Sequence, residues 1–389
     1  MHFLGSDRIN RFLLSTCFLL SFLTLSADRF DQLWKDVDES QAQDLPQTTL
    51  KKIDKIISLS REKEHGGHLM KAIMMKYHLR QDISPDSAIT FIPVIEKSLK
   101  AEKSPVMQSL FHVALGALYN SLPYEEDRQA IHKSVTHYSQ SMLKPMLLLK
   151  AKATDYVPMV IIREDSRYYN DALLSVVAKY VTGALKGMND KELATDSLAQ
   201  DILHREIVCY RHEGMREAEF FALIDSASLF MQKNQKELFL KEMINRFSET
   251  DVCAEAYLQL SKLQPDTIAW QTLEKALRLY PACKIKGQIQ NSLANLARPE
   301  LRVTLSHAQM LPSSKGTITV EGRNVTECRL VFYKTRYTAQ RLGEMNSLLS
   351  EKNVQLGPIA MSIPVSLPLG IPAQWTKSEV SYSFTDPGI

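Results

Sequence analysis

The sequence lacks the common motifs of catalysis and nucleotide binding. It contains no G-x-S-x-G, H-E-x-x-H, G-x-x-x-x-G-K-[ST] or G-x-G-x-x-G. A nucleophile elbow, a zinc-protease helix, a phosphate-binding loop and a dinucleotide fingerprint are therefore not indicated. A hydrolase would have to work here without a recognisable motif. We expect a protein that is not an enzyme and that has no catalytic, cofactor-binding or metal-binding residues.

Cysteine is scarce, with five in 389 residues. Cys17 lies in the N-terminal apolar run, and Cys209, Cys253, Cys283 and Cys328 are too few for a disulfide scaffold. No C-x-x-C occurs, which argues against a zinc ribbon and against a redox motif. In an exported chain Cys253 and Cys283 could form a disulfide bond. Two buried free thiols are the other open alternative.

An excess of charge is also missing. The formal net charge is +3, and 23% of the residues are charged. This balance argues against a nucleic-acid partner and against a polybasic membrane-binding surface. The hydrophobic content of 44% is ordinary for a globular protein. The length is compatible with two or three domains.

The N-terminus has the pattern of a secretory signal peptide. Arg8 and Arg11 precede the apolar run Phe12–Leu25, and the small residue Ala27 follows at an acceptable cleavage site. We predict cleavage after Ala27 and a periplasmic, extracellular or cell-envelope location. No second long apolar run follows, so membrane association requires lipidation of Cys17. The residue before Cys17 is a threonine where a smaller residue is typical, which argues against that lipidation.

Residues 28–297 show apolar side chains at helical spacing. Phe30, Leu33, Trp34 and Val37 form the first such stripe. Two Ser-Pro pairs, Ser84-Pro85 and Ser104-Pro105, predict helices that begin with a serine cap and a proline in the first turn. Short helices of this kind bury their stripes by stacking in pairs. Ala276, Tyr280 and Pro281 also match the end of a tetratricopeptide (TPR) unit, so we predict a TPR-like helical-repeat domain.

From Arg298 to Ile389 the apolar pattern changes to period two. Pro299 cannot continue a helix, and Leu301, Val303 and Leu305 then alternate with polar residues. The pattern predicts five strands, each with one buried face. Pro364 and Pro368 lack a backbone donor, so we expect the fourth strand to lie at an edge or to pair on one side only. An immunoglobulin-like sandwich has about seven strands. With five predicted strands, residues 298–389 are expected to form an incomplete antiparallel β-sandwich.

For several polar and aromatic residues the sequence favours a structural role over a binding site. His65 and His68 flank two glycines, and Cys209 and His212 share a helix face near His204, but neither set has an evident further metal ligand. Asn324-Val325-Thr326 fits an N-glycosylation acceptor, which matters only in a eukaryotic secretory pathway. Trp34, Trp270 and Trp375 lie in patterned stretches, and we predict that they are core residues.

Several short segments carry a family resemblance. They are Phe30–Val37 (FDQLWKDV), Asp44–Thr48 (DLPQT), Leu69–Ala72 (LMKA), Arg298–Val303 (RPELRV) and Val331–Lys334 (VFYK). The first three resemble the helical N-terminal region of bacterial α2-macroglobulin family proteins of the Bacteroides type. The last two resemble the start and an early core strand of that family's first macroglobulin domain.

The resemblance implies an exported protein of the endopeptidase-inhibitor type, which acts by binding a protein partner. Fuller family members carry a bait segment, and many carry a Cys-Gly-Glu-Gln thioester. Here no cysteine is followed by Gly-Glu-Gln, so no functional residue carries over and no thioester is expected. The alternative is a stand-alone helical-repeat adaptor of the cell envelope, whose β domain binds a protein or a glycan.

Overall fold

The computed structural model describes residues 29–122, 128–162, 171–307, 310–335 and 356–385. The predicted signal peptide and Cys17 lie outside these ranges. The chain is mainly helical, with a smaller antiparallel β region at its C-terminal end. It forms two compact units, Met1–Phe230 and Met231–Ile389. None of the helices in the described ranges is both long enough and apolar enough to cross a bilayer.

The Met1–Phe230 unit is built from helices. They are α1 (residues 29–42), α2 (Pro46–Glu62), α3 (Gly66–Ile83), α4 (Pro85–Ile89), α5 (Ile92–Ala101), α6 (Pro105–Asn120), α7 (Arg128–Ser141), α8 (Pro145–Lys150), a 3-10 turn (Ala153–Tyr156), α9 (Leu173–Met188), α10 (Thr195–His212) and α11 (Arg216–Phe230). Neighbours in sequence pack together, as in α2 with α3, α6 with α7, and α9 with α10. The buried side chains of α3 to α11 form one apolar core.

The predicted helix starts differ in how they are capped. At α6 the Ser104 hydroxyl accepts a hydrogen bond from the Met107 amide at 3.4 Å, and Pro105 follows at the first helical position. At α4 Pro85 also lies in the first turn, but the Ser84 side chain makes no capping bond. The serine-cap prediction is therefore confirmed for α6 and wrong for α4. The α4 helix has five residues.

The two glycines at the start of α3 allow a close backbone approach. A β-carbon on Gly67 would overlap the backbone of Tyr156 and Val157. Tyr156 ends the 3-10 turn, so the first turn of α3 packs directly on the chain that leaves it. The absence of a side chain at Gly67 is therefore what lets these segments meet.

We expect Gly67→Ala to destabilise the protein by roughly 1–3 kcal/mol, because the obstacle is backbone and cannot rotate away. Gly183→Ala is the matched control, since Gly183 lies inside α9 with no atom within 4 Å of the added methyl group. That change should be neutral or stabilising by up to about 1 kcal/mol. Urea unfolding of both variants measures the difference. Equal stabilities for the two variants would contradict the proposed packing.

The Met231–Ile389 unit contains helices and strands. The helices are α12 (Lys233–Arg246), α13 (Cys253–Ser261), α14 (Asp266–Leu279) and α15 (Lys286–Ala297), and the strands are β1 (Glu300–Leu305), β2 (Gly316–Arg323), β3 (Glu327–Thr335), β4 (Leu356–Ser366) and β5 (Trp375–Tyr382). The change from helix to strand falls where Pro299 predicts it. The domain boundary predicted between residues 297 and 298 stays a prediction, and in the structure α12 to α15 share a compact unit with the strands.

All five predicted strands are present, in two antiparallel sheets. One sheet has the order β1-β2-β5, and the other pairs β3 with β4. The expectation that the proline-containing strand pairs on one side is confirmed, since β4 pairs with β3 alone within the described residues. Side chains of β2, β5, β3 and β4 share one apolar core, which includes Ile318, Val320 and Val365.

The burial predicted for β1 is wrong. Leu301, Val303 and Leu305 alternate as expected, yet all three side chains are about half exposed. Their register partners are Gly322, Val320 and Ile318 on β2, so they continue the row of side chains that forms the core. The apolar core of this region takes no buried residue from β1. The row of apolar side chains therefore continues from the buried part of β2 onto β1, where it is exposed.

Candidate functional site

The candidate site is an open cleft in the Met231–Ile389 unit, with a volume of about 360 Å³. Three parts of the chain form its walls: Trp270 from α14 and Ala297 from the end of α15, the turn Asn324–Thr326 between β2 and β3, and the segment that joins β4 to β5. From that segment and from β5 the lining residues are Pro368, Leu369, Gly370, Ile371, Pro372, Gln374 and Thr376. None of these lining residues carries a charge. The cleft therefore favours an uncharged and largely apolar ligand.

The segment between β4 and β5 presents apolar side chains to solvent. Leu369 is 87% exposed and Ile371 is 53% exposed, and prolines flank the pair. The loop is held at its ends: the Leu367 amide donates to the Thr326 carbonyl at 2.8 Å. The Ile371 amide donates to Oε1 of Gln374 at 3.0 Å. An exposed leucine on a loop that is anchored in this way is available for binding at little cost in entropy.

Asn324 connects the three walls of the cleft. It adopts a left-handed backbone conformation with a φ of 55°, which asparagine tolerates better than most residues. Its Nδ2 donates to the carbonyl of Leu296 at 2.7 Å and to that of Arg298 at 3.4 Å. Its Oδ1 accepts from the Ala373 amide at 3.0 Å. The side chain that the sequence indicated as a glycosylation acceptor thus makes hydrogen bonds that shape the cleft.

A network of charged side chains fixes α14 against the three-stranded sheet. Arg323, at the end of β2, is 9% exposed and donates to Asp266 at 2.5 Å and to Glu300 at 2.7 Å. The indole nitrogen of Trp375 donates to the same Asp266 oxygen at 3.1 Å. The guanidinium of Arg302 lies 3.9 Å from the centre of the Trp375 ring. This network lies at the end of the sheet that adjoins the cleft, because Arg323 immediately precedes Asn324.

The three tryptophans have different environments. Trp34 is buried, as predicted for a core residue. Trp375 is partly buried between the charged groups of the network. Trp270, on the wall of the cleft, has the same intermediate burial, so the core prediction is wrong for Trp270 and Trp375. Trp270 lies on the side of α14 that faces the β2–β3 turn.

Of the histidines with metal-ligand spacing, His68 is used in packing, whereas His204 and His212 are exposed. The Trp34 indole donates to Nδ1 of His68 at 2.9 Å, and the Phe30 ring stacks on His68 with centroids 3.9 Å apart. Burial, reinforced by the charge of His65, lowers the pKa of His68 to about 4. A neutral His68 can accept this hydrogen bond, which ties α1 to α3. The described residues contain no group of three or more His, Cys, Asp or Glu arranged to hold a metal.

The cysteines of the described residues are free thiols. Cys253 and Cys283 belong to one buried apolar cluster with Tyr257 and Tyr280, and the Cys253 thiol donates to the carbonyl of Ile244 at 3.5 Å. Burial raises the pKa of both thiols. Of the two alternatives that the sequence left open, the structure shows the free thiols.

A buried glutamate in α10 escaped the sequence analysis. Glu206 is 4% exposed and accepts a hydrogen bond from the Tyr210 hydroxyl at 3.1 Å. Burial raises the pKa of Glu206 to about 8, although the bond from Tyr210 opposes the shift. Glu219, on α11, is also buried, but its carboxylate pairs with Arg211 and Arg216. Only the partners in the fold distinguish these two glutamates.

The cleft itself was also missed. The signal available in the sequence was a glycine between two apolar residues, Leu369 and Ile371, with a proline on either side.

In comparisons with known proteins, no family model and no curated protein matches the chain. The family resemblance of the short segments therefore remains a proposal.

Proposed function

We propose that this chain acts by binding another polypeptide, as the N-terminal part of an exported α2-macroglobulin-like protein of the endopeptidase-inhibitor type. The cleft beside the Leu369 loop is the observation that carries this proposal. The order of a helical region followed by a two-sheet β region is the order that the resemblance expects. In this proposal the helical region is TPR-like and the β region is a macroglobulin-type sandwich.

The chemistry of the cleft defines the ligand. A volume of about 360 Å³ lies within the range of small ligand sites and is sufficient for a few side chains. The lining is uncharged, so a charged ligand would lose its hydration there without a compensating partner. Leu369, Ile371 and the partly exposed Trp270 supply apolar contact. We therefore propose an extended segment of a partner protein that carries uncharged apolar side chains.

The mode of binding is non-covalent. The absent Cys-Gly-Glu-Gln sequence means that the chain cannot form the family's thioester. A protease would thus be held through an exposed apolar segment rather than through an acyl bond. The cell-envelope adaptor is distinguished from this proposal by its ligand, since it would bind a glycan or an envelope protein and not a protease.

Leu369→Ser should weaken the affinity for an uncharged apolar peptide at least roughly tenfold, because burial of one leucine contributes about 1.5–3 kcal/mol. Leu311→Ser is the matched control. Leu311 is 79% exposed in the same unit but lies before the opposite end of β2. That change should leave the affinity as in the wild type.

The measurement is a fluorescence titration with labelled ten-residue apolar peptides, in parallel with an active-site-blocked endopeptidase and with neutral oligosaccharides. Equal effects of the two serine variants on peptide binding would contradict the cleft as the binding site. Binding of oligosaccharides alone would overturn the polypeptide proposal in favour of a glycan-binding adaptor.

A further inference from the structure

Within the described residues, no strand pairs with the outer edge of β1, so its backbone groups there have no partner strand. The Ser306 amide donates to the Thr317 carbonyl at 2.9 Å, and the register places these two residues opposite each other. In an antiparallel pair, hydrogen-bonded and non-hydrogen-bonded positions alternate. Thr304, Arg302 and Glu300 therefore direct their amide and carbonyl groups toward β2. The alternate residues direct theirs away from β2, and these residues are Leu301, Val303 and Leu305.

The same three residues carry the exposed apolar row. Val303 is 53% exposed, and its neighbours Leu301 and Leu305 are exposed to a similar degree. Within the described residues β1 pairs only with β2. Its edge thus combines unpaired backbone groups with a row of side chains that continues the buried row of β2. Such an edge is a template for the addition of a further strand.

We infer that this edge pairs with β1 of a second copy of the chain, in an antiparallel arrangement with a two-fold axis at Val303. In that register the apolar residues of Glu300–Leu305 lie opposite apolar residues of the partner strand. Val303 lies opposite the partner's Val303, and Leu301 lies opposite the partner's Leu305. Arg302 lies opposite the partner's Thr304. The result is a continuous six-stranded sheet in which the two apolar rows adjoin.

Charge disfavours the neighbouring register whose two-fold axis lies at Arg302. A shift of the two-fold axis to Arg302 also keeps the outward-facing backbone groups paired, but it brings the two Arg302 side chains directly opposite each other. Like charges at opposed positions are unfavourable. The register centred on Val303 has no like-charge pair between the two strands. The inference concerns the β1 edge and does not depend on ligand binding in the cleft.

Sedimentation equilibrium of the mature full chain tests the inference. The variants place a charge at residue 303, which lies on the two-fold axis of the proposed dimer. The wild type should sediment with twice the mass of one chain at high concentration. Val303→Lys should raise the dissociation constant at least roughly tenfold, because two lysines would then face each other about 5.5 Å apart between α-carbons. Val303→Glu should do the same. An equimolar mixture of these two variants should restore the dimer.

Val303→Pro supplies a second variant that does not add charge. Its lost amide faces away from β2, so the pairing of β1 with β2 keeps its hydrogen bonds. It should also weaken the dimer, whereas Leu311→Lys should not. A wild-type chain that stays monomeric at all concentrations would overturn the inference. A dimer that tolerates Val303→Pro, or a lysine and glutamate mixture that stays monomeric, would also overturn it.

Discussion

Replacing Arg323 with alanine should destabilise the Met231–Ile389 unit by about 3 kcal/mol. Arg323 is almost fully buried and pairs with Asp266 on α14 and Glu300 on β1. Its loss leaves two carboxylates close together without their shared cation. Both carboxylates retain partial access to water, so the cost lies at the lower end of the range for a broken buried ion pair. The loss should open the contact between α14 and the sheet.

Arg302→Ala is the control for this prediction. Arg302 lies on the adjoining strand, is exposed and contacts the Trp375 ring and Glu300. Its removal should cost at most about 1 kcal/mol. Hydrogen exchange of β2 and α14 measures the two effects locally. If Arg323→Ala and Arg302→Ala change the exchange of these segments equally, the network does not hold α14 to the sheet.

Replacing Glu206 with glutamine should stabilise the protein at pH 9 by on the order of 4 kcal/mol and leave it almost unchanged at pH 4. The folded chain holds Glu206 protonated up to a pKa of about 8, whereas the unfolded chain ionises near the ordinary value of 4.5. Between these values the unfolded chain binds fewer protons, so the stability of the wild type falls as the pH rises through that window. Glutamine has the shape of the protonated acid and does not ionise, so this loss disappears.

Glu219→Gln gives the contrasting case. Glu219 is equally buried, but its carboxylate pairs with the guanidinium groups of Arg211 and Arg216. The glutamine there should destabilise the protein, because it weakens both pairs. Thermal unfolding of both variants at pH 4, 7 and 9 tests the difference. Stabilisation by Glu206→Gln that does not grow with pH would show that Glu206 is ionised in the folded chain.

Local patterns predicted the strands and part of the helices. Helical spacing and the Ser-Pro pairs predicted α1, α4 and α6, and Pro299 with the change to period two predicted the five strands. These features depend on neighbours within a few residues. The prediction of a serine cap at Ser84 is wrong. The sequence shows that a capping residue is present, but not whether its hydroxyl reaches a backbone amide.

The burial of β1 could not be read from its sequence. The alternation of Leu301, Val303 and Leu305 is as regular as that of the buried strand β2. Whether an apolar row is covered depends on the strand order and on the position of the second sheet, which are set by distant parts of the chain. The same pattern therefore produced one buried strand and one exposed edge.

The cleft and its supports depend on residues that are far apart in sequence. Asp266 and Arg323 are separated by 57 positions, and Trp375 and Asp266 by 109. Neither pair has a spacing that predicts contact. The uncharged lining arises where the ends of α15, the Asn324 turn and the Leu369 loop meet. The buried state of Glu206 likewise follows from the packing around α10 and not from any local motif.

The most direct test of the binding proposal is hydrogen exchange of the mature chain with and without a saturating uncharged apolar peptide. We predict slower exchange in the turn Asn324–Thr326 and in the segment from Leu369 to Thr376, with little change in the Met1–Phe230 unit. Leu369→Ser should remove this protection at the same peptide concentration. Protection that appears elsewhere, or that survives Leu369→Ser unchanged, would contradict the assignment of the cleft as the binding site.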